Sequence, residues 1–180
     1  MLLTKSGFHK SEECASEILA RNNIKAAPIP LEEIVIKEGL NIVKYDLGDD
    51  ISGILIINEA KGTIGVNPKD SYYRQRFSIA HELGHFLLHA DSSAFFVDKD
   101  FLIKYRHTNK NYSNAERKQE QEANAFAAAL LMPAKIIESE IENGQILGLT
   151  ETELIAQLAY KFKVSEVAMS YRFTNLNNYF

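Results

Sequence analysis

Residues 71–89 read SYYRQRFSIAHELGHFLLH, and most of the sequence is best interpreted from this stretch outward. It contains no proline and a single glycine, Gly84, so nothing in it interrupts a helix strongly. Apolar residues recur along it at helical spacing, at Phe77, Ala80, Leu83 and Leu87. The pattern predicts one long central helix from Ser71 to His89.

Within that helix, His81, Glu82 and His85 form an H-E-x-x-H pattern. Residues four apart share one face of a helix, with Cβ atoms roughly 5–6 Å apart, so both imidazoles can bind one tetrahedral zinc ion. Glu82 projects to one side, where a carboxylate can act as general base toward a metal-bound water whose pKa is lowered to about 7. We therefore predict two metal ligands and a catalytic glutamate. The alternative is that the two histidines lie on an amphipathic helix and bind no metal. That alternative would be preferred for an isolated pattern match, but the predicted helix around this pattern favours a metal site.

A catalytic zinc usually has three protein ligands, so a third residue is needed. His89 stands eight residues after His81, a rise of about 12 Å along an unbroken helix, which is too far to share the ion. The long metzincin pattern also fails, because it needs glycine at Leu88 and histidine at Asp91. We expect His89 to support the site or the fold rather than to bind metal.

A second helix is predicted from Ala115 to Leu131, with Ser113 and Glu116 forming a capping box and Pro133 ending the helix. On a helical wheel Glu120 lies near the edge of the apolar face, and Glu116 lies on the same stripe, closer to its centre. Both remain open as the third ligand. Glu122 falls well away from the apolar face and is predicted to be solvated.

The stretches Arg76–His85 and Glu120–Pro133 together resemble the ImmA/IrrE family of metallopeptidases, and the similarity covers most of the chain up to about Pro133. The resemblance implies that His81, His85 and Glu120 bind Zn2+ and that Glu82 is the catalytic residue. Asn124 stands where other glutamate-zincins carry aspartate. The resemblance also implies a substrate class: a helix-turn-helix transcriptional repressor, cleaved by an endopeptidase.

The fold class expected is α+β, zincin-like, with a small, mostly antiparallel sheet packed on the two ligand-bearing helices. Additional elements are predicted as helices at Ser11–Asn22 and Leu31–Glu38 and as three antiparallel strands at Asn41–Asp46, Ile51–Ile57 and Thr63–Val66. The Thr63–Val66 strand precedes the metal helix and is expected to offer its edge to an extended peptide. The irregular segment Asp91–Asn111 fits either a lid or a surface excursion.

The sequence divides into a metallopeptidase domain at residues 1–148 and a helical extension at residues 149–180 that resembles a helix-turn-helix. From Thr150 to Phe180 there are three basic and three acidic residues, and the whole chain carries a net charge of −4. Such a balance argues against direct DNA binding. We expect the extension to pack against the catalytic domain or to bind a repressor.

Composition favours a cytoplasmic protein. The single cysteine, Cys14, cannot form an internal disulfide, and the sequence shows neither a signal peptide nor a membrane span. A rival interpretation is a zinc-binding sensor or regulatory module that binds a repressor without hydrolysing it. The presence of Glu82 favours the enzyme, because a purely structural zinc site would close its fourth position with another ligand.

Overall fold

The computed structural model describes residues 5–58, 61–89, 102–103, 113–144 and 148–179. The segment Asp91–Asn111, apart from residues 102–103, lies outside the described residues, so neither of its two interpretations is tested. The described elements are, in chain order, α1 (Lys5–Arg21), α2 (Leu31–Lys37), β1 (Leu40–Lys44), β2 (Gly53–Asn58), β3 (Lys61–Val66), α3 (Tyr72–His89), β4 (Leu102–Ile103), α4 (Asn114–Leu131), α5 (Ala134–Asn143), α6 (Glu151–Phe162) and α7 (Glu166–Tyr179).

The sheet has four strands in the order β1-β3-β2-β4. The strands β2 and β3 are joined by two residues and pair antiparallel, as a hairpin must, and β4 is antiparallel to β2. The prediction of three antiparallel strands is wrong for β1, which runs parallel to β3 with Leu40 opposite Gly62 and Lys44 opposite Val66. The connection from β1 to β2 is longer than the one between β2 and β3, so β1 can pair with the edge of β3 that faces away from β2.

This order also makes the predicted peptide-binding edge wrong. The Thr63–Val66 strand lies between β1 and β2, so both of its edges already carry backbone hydrogen bonds. The connection before β2 is fixed by Asn67, whose side-chain amide donates to the carbonyl oxygens of Gly48 (2.6 Å) and Ile51 (3.0 Å). That anchoring determines where Gly53, the first residue of β2, meets the central helix.

Helix α3 packs between the sheet and α4, and α4 is covered on another side by α1. The side chains that fill this core are almost wholly buried, among them Ile64, Val66, Leu83, Phe126 and Leu130. Each such side chain contributes about 1.5–3 kcal/mol of apolar burial, which holds the two long helices in a fixed relation. The α+β expectation is confirmed.

Several helix boundaries agree with the sequence signals, and others do not. The capping boxes at Ser113 and Thr150 are both formed. Helix α1 begins at Lys5 rather than Ser11. Pro133 does end α4, but its extended backbone serves as the N-cap of α5, a helix that the sequence patterns did not predict. Proline lacks a backbone N–H and is tolerated at such a helix start.

The C-terminal helices pack onto the same core through Phe162 and Met169, which are fully buried. Arg172 of α7 is also buried, and its guanidinium binds the carboxylate of Glu12 on α1. Its Nε donates to the carbonyl oxygen of Met132 at 2.9 Å. The tail therefore contacts both the first helix and the corner between α4 and α5. Among the described residues, no helix is long and apolar enough to cross a membrane.

Candidate metal centre

The two helices that carry the candidate ligands approach closely at Gly84. A Cβ placed on Gly84 would lie 2.9 Å from Phe126 Cδ1 and 3.3 Å from both the Cα and the carbonyl oxygen of Ala123. Only the absence of a side chain lets α3 and α4 come this near. The glycine inside the H-E-x-x-H pattern thus sets the distance across which residues of α4 meet the two histidines.

Three side chains converge at this crossing. His81 Nε2 lies 2.8 Å from His85 Nε2, Glu120 Oε2 lies 3.5 Å from His81 Nε2, and Glu120 Oε1 lies 3.1 Å from His85 Nε2. One ligand atom from each of the three residues lies within 4.8 Å of the other two. In a tetrahedral zinc site with metal–ligand bonds near 2.0–2.2 Å, ligand atoms are separated by about 3.3 Å. The observed spacing therefore fits a metal ion.

Asn124 fixes the orientation of the first histidine. Its Oδ1 lies 2.8 Å from His81 Nδ1. An amide oxygen can only accept, so with this amide orientation Nδ1 carries the proton and Nε2 presents its lone pair toward the centre. Partners of this kind hold metal-binding histidines in the required tautomer. The sequence alone assigned no role to Asn124. Its position four residues after Glu120 places it one helical turn further along the same face, and this spacing could have indicated a role near the histidines.

Glu82 follows His81 directly in α3 and lies against the start of β2. The side chain is buried, with 3% of its surface exposed. A Cβ on Gly53 would lie 3.5 Å from Glu82 Oε1 and 3.1 Å from the Cβ of Ser78. Because Gly53 has no side chain, the first strand residue can lie directly alongside the carboxylate.

Glu116 and Glu120, the two candidates for the third ligand, have different surroundings in the structure. Glu116 belongs to the helix start, where its Oε2 accepts from the backbone N–H of Ser113 at 2.8 Å and from the Ser113 hydroxyl at 2.9 Å. Helical phase had left Glu116 and Glu120 as alternatives, and the structure brings Glu120 to the histidines. Within the described residues, His81, His85 and Glu120 are the one group found that could hold a metal ion.

The prediction that Glu122 is solvated is wrong, since only 6% of it is exposed. Its Oε2 lies 3.7 Å from His89 Nε2, and its Oε1 lies 3.7 Å from Lys118 Nζ. The reason is α1, which covers this side of α4 and whose Ser11 hydroxyl lies 3.0 Å from the Glu122 carbonyl oxygen. His89 is the last residue of an unbroken α3, and it is not in the group that could hold a metal ion.

The donor set suits a catalytic site. Two imidazole nitrogens and one carboxylate oxygen are the ligands of zinc hydrolases that keep a fourth position for water or substrate. His81, with 1% exposed, and His85, with 5%, are held in protein, whereas 19% of the Glu120 side chain is exposed. Among the three, Glu120 is therefore the most accessible to solvent, and the group could hold a metal ion.

Comparisons with known proteins agree with this geometry. Residues 37–174 match the family model described as Peptidase M78, IrrE N-terminal-like domain, which extends well beyond Pro133, where the motif resemblance ended. No curated protein matches the sequence significantly. A solved transcriptional regulator from Mycobacterium tuberculosis has a similar fold, with a TM-score of 0.60 and 18% sequence identity. The match covers 91% of this chain but only 46% of that one, so the chain spans about half of its length. Because the family model covers most of the sequence, the chain belongs to the Peptidase M78 family of IrrE N-terminal-like domains.

Proposed function

We propose that the protein is a zinc-dependent endopeptidase in which His81, His85 and Glu120 bind Zn2+ and Glu82 is the general base. The observation that carries the proposal is the convergence of two imidazole nitrogens and a carboxylate oxygen beside a buried glutamate. A zinc ion bound there would polarise the scissile carbonyl and make a water nucleophilic near neutral pH.

The chain's own residues account for proton transfer and orientation. Glu82 accepts a proton from the attacking water at a carboxylate oxygen and passes it to the amide nitrogen of the leaving peptide. The Asn124 Oδ1 contact keeps the His81 Nδ1 proton in place, so the imidazole stays in one tautomer throughout. Burial of both histidines excludes water from their rings and holds their geometry.

The substrate binds along the outer edge of β2 in this proposal. Among the described residues, β4 pairs only with Ile56 and Ile57, and β3 occupies the other edge. The stretch Gly53–Leu55 therefore has backbone groups facing away from β3 that β4 does not cover. An extended peptide added there would make strand hydrogen bonds and pass directly by Glu82, which lies against Gly53.

The proposed substrate is a helix-turn-helix repressor, a class that the motif resemblance implies, and such a substrate places the reaction in the cytoplasm. The balanced charge of the C-terminal helices does not favour direct DNA contact, so the partner is the repressor protein.

The test is incubation of the purified, zinc-loaded protein with the helix-turn-helix repressor encoded beside it. Cleavage fragments identified by mass spectrometry, and their loss on adding a chelator, support the proposal. Glu82→Gln should retain zinc and lose cleavage, because it keeps the size of the side chain but removes the base. Glu116→Gln is the matched control, since that carboxylate caps the helix, and it should retain both properties.

One result would reject Glu82 as the base, and a second would reject the enzyme. If Glu82→Gln cleaves as fast as the wild type, Glu82 is not the base. If one zinc ion binds per chain while the repressor binds and stays intact, the protein is the zinc-binding regulatory module described under the sequence analysis.

A further inference from the structure

Arg74 is an exposed cation held in a defined position near the proposed peptide-binding edge of β2. It lies in the first turn of α3, and 67% of its side chain is exposed. Its Nε donates to the hydroxyl of Ser52 at 2.7 Å. The carboxylate of Asp70 lies 3.6 Å from the same Nε. The hydrogen bond uses the inner nitrogen of the guanidinium, and among the described residues the two terminal nitrogens donate no hydrogen bond.

A continuous path of contacts connects this guanidinium with the general base. Ser52 directly precedes Gly53, and Glu82 Oε1 would lie 3.5 Å from a Cβ on Gly53. Along α3, Arg74, Ser78 and Glu82 follow one another at four-residue spacing, so they share one face of the helix. That face runs beside the start of β2, as the approach of Ser78 to Gly53 shows.

The peptide that the proposed function places on β2 would run in the same direction, from Glu82 toward Arg74. At the other end of the strand, Ile56 and Ile57 are covered by β4, so a bound peptide leaves the Gly53–Leu55 edge toward Ser52. Eight residues of helix separate Arg74 from Glu82, a rise of about 12 Å. An extended peptide covers that distance with about three or four residues.

We propose that Arg74 is a specificity-determining residue that binds an aspartate or glutamate side chain of the substrate, three or four residues from the scissile bond. The proposal rests on the proposed peptidase function. The terminal nitrogens of a guanidinium match the two oxygens of a carboxylate, and the Ser52 contact fixes the plane of the group before substrate arrives. The chain carries a net charge of −4, so an acidic peptide gains nothing from the overall field and depends on this local cation.

Binding is tested separately from hydrolysis. Zinc-loaded Glu82→Gln protein is immobilised and used to select from a randomised library of peptides of about twelve residues, long enough to run from β2 past Arg74. Sequencing of the retained peptides should show acidic residues enriched over their amides by about three- to tenfold at one position. Adding Arg74→Gln should abolish the enrichment, and adding Arg74→Glu should shift it to lysine and arginine.

Lys135→Gln is the matched control, because it also removes one positive charge. Lys135 lies in α5, beyond the far end of α4, and Glu120 to Leu131 alone spans about 16 Å of that helix. The control should retain the full enrichment. Zinc affinity should be the same in all variants, which shows that the site itself is intact.

Cleavage of the same library by protein with Glu82 intact locates the preferred position. Mass spectrometry should place the acidic residue three or four positions from the cut bond, with Arg74→Gln raising KM and leaving kcat unchanged. The inference is overturned if no acidic enrichment occurs, if it persists in Arg74→Gln, or if it lies next to the cut bond. Absence of all cleavage with Arg74-dependent enrichment retained would reject the peptidase and leave the carboxylate site standing.

Discussion

Replacing Gly84 by alanine tests whether close helix packing sets the metal geometry. The added methyl carbon would lie 2.9 Å from Phe126 Cδ1 and 3.3 Å from two backbone atoms of Ala123. Overpacking of a buried contact costs about 1–3 kcal/mol, whereas alanine in place of glycine gains about 1 kcal/mol of helix propensity. We expect the cost of overpacking to exceed the gain in helix propensity, because the backbone of Ala123 cannot rotate away from the added methyl group. We expect a net loss of about 1–2 kcal/mol in the free energy of unfolding.

The assay is urea unfolding of the metal-free protein, followed by zinc titration against a competing chelator. A loss of that size corresponds to a melting temperature lower by about 2–8 °C for a chain of this length. Zinc affinity should fall as well, because α4 carries Glu120 and must move away from α3. Phe126→Leu removes the ring carbon that the methyl meets, so the double variant should lose less stability than the sum of the two single variants. Unchanged stability and zinc affinity in Gly84→Ala would refute the packing argument.

Three further outcomes follow from contacts described above. Asn124→Leu should weaken zinc binding by about 10–100-fold, because the His81 tautomer is no longer fixed, and a chelator competition giving wild-type affinity would contradict this. Glu120→Gln should weaken zinc binding further, whereas Glu116→Gln should cost only a fraction of a kcal/mol in urea unfolding; the reverse order would transfer the ligand role to Glu116. The backbone N–H of Thr150, and then its hydroxyl, lower the pKa of Glu153, so the stability from this cap is complete above the ordinary glutamate pKa and is lost as pH falls through the lowered value. Thr150→Ala should raise that pKa part of the way back in an NMR titration, and an unmoved pKa would mean that the hydroxyl does not contribute.

Local signals predicted α3 and α4 well. Helical periodicity located the helix that carries His81 and His85, and the two capping boxes marked helix starts that the structure contains. These features depend on residues within one or two turns of each other, which a single sequence displays directly. The choice of Glu120 over Glu116 required the family resemblance, since helical phase admitted both.

Tertiary context decided the features that the sequence did not reveal. The burial of Glu122 depends on α1, more than a hundred residues earlier, covering a face that looks polar on the wheel. The parallel pairing of β1 with β3 depends on which side of the hairpin the chain takes, and alternating apolar residues do not encode that side. Within the part of the chain that the structure describes, the edge that we propose for a peptide is therefore on β2 and not on β3.

The bond between Arg172 and Glu12 joins positions 160 residues apart. A chain emerging from the ribosome cannot form it until α7 has been made, and the three candidate metal ligands are synthesised well before that. Closing so long a loop costs entropy that only the finished core offsets. The three candidate ligands are therefore synthesised before the bond that joins the last helix to the first can form. A nascent chain stopped before Arg172 would carry all three of them, while Glu12 on its first helix would still lack its cationic partner.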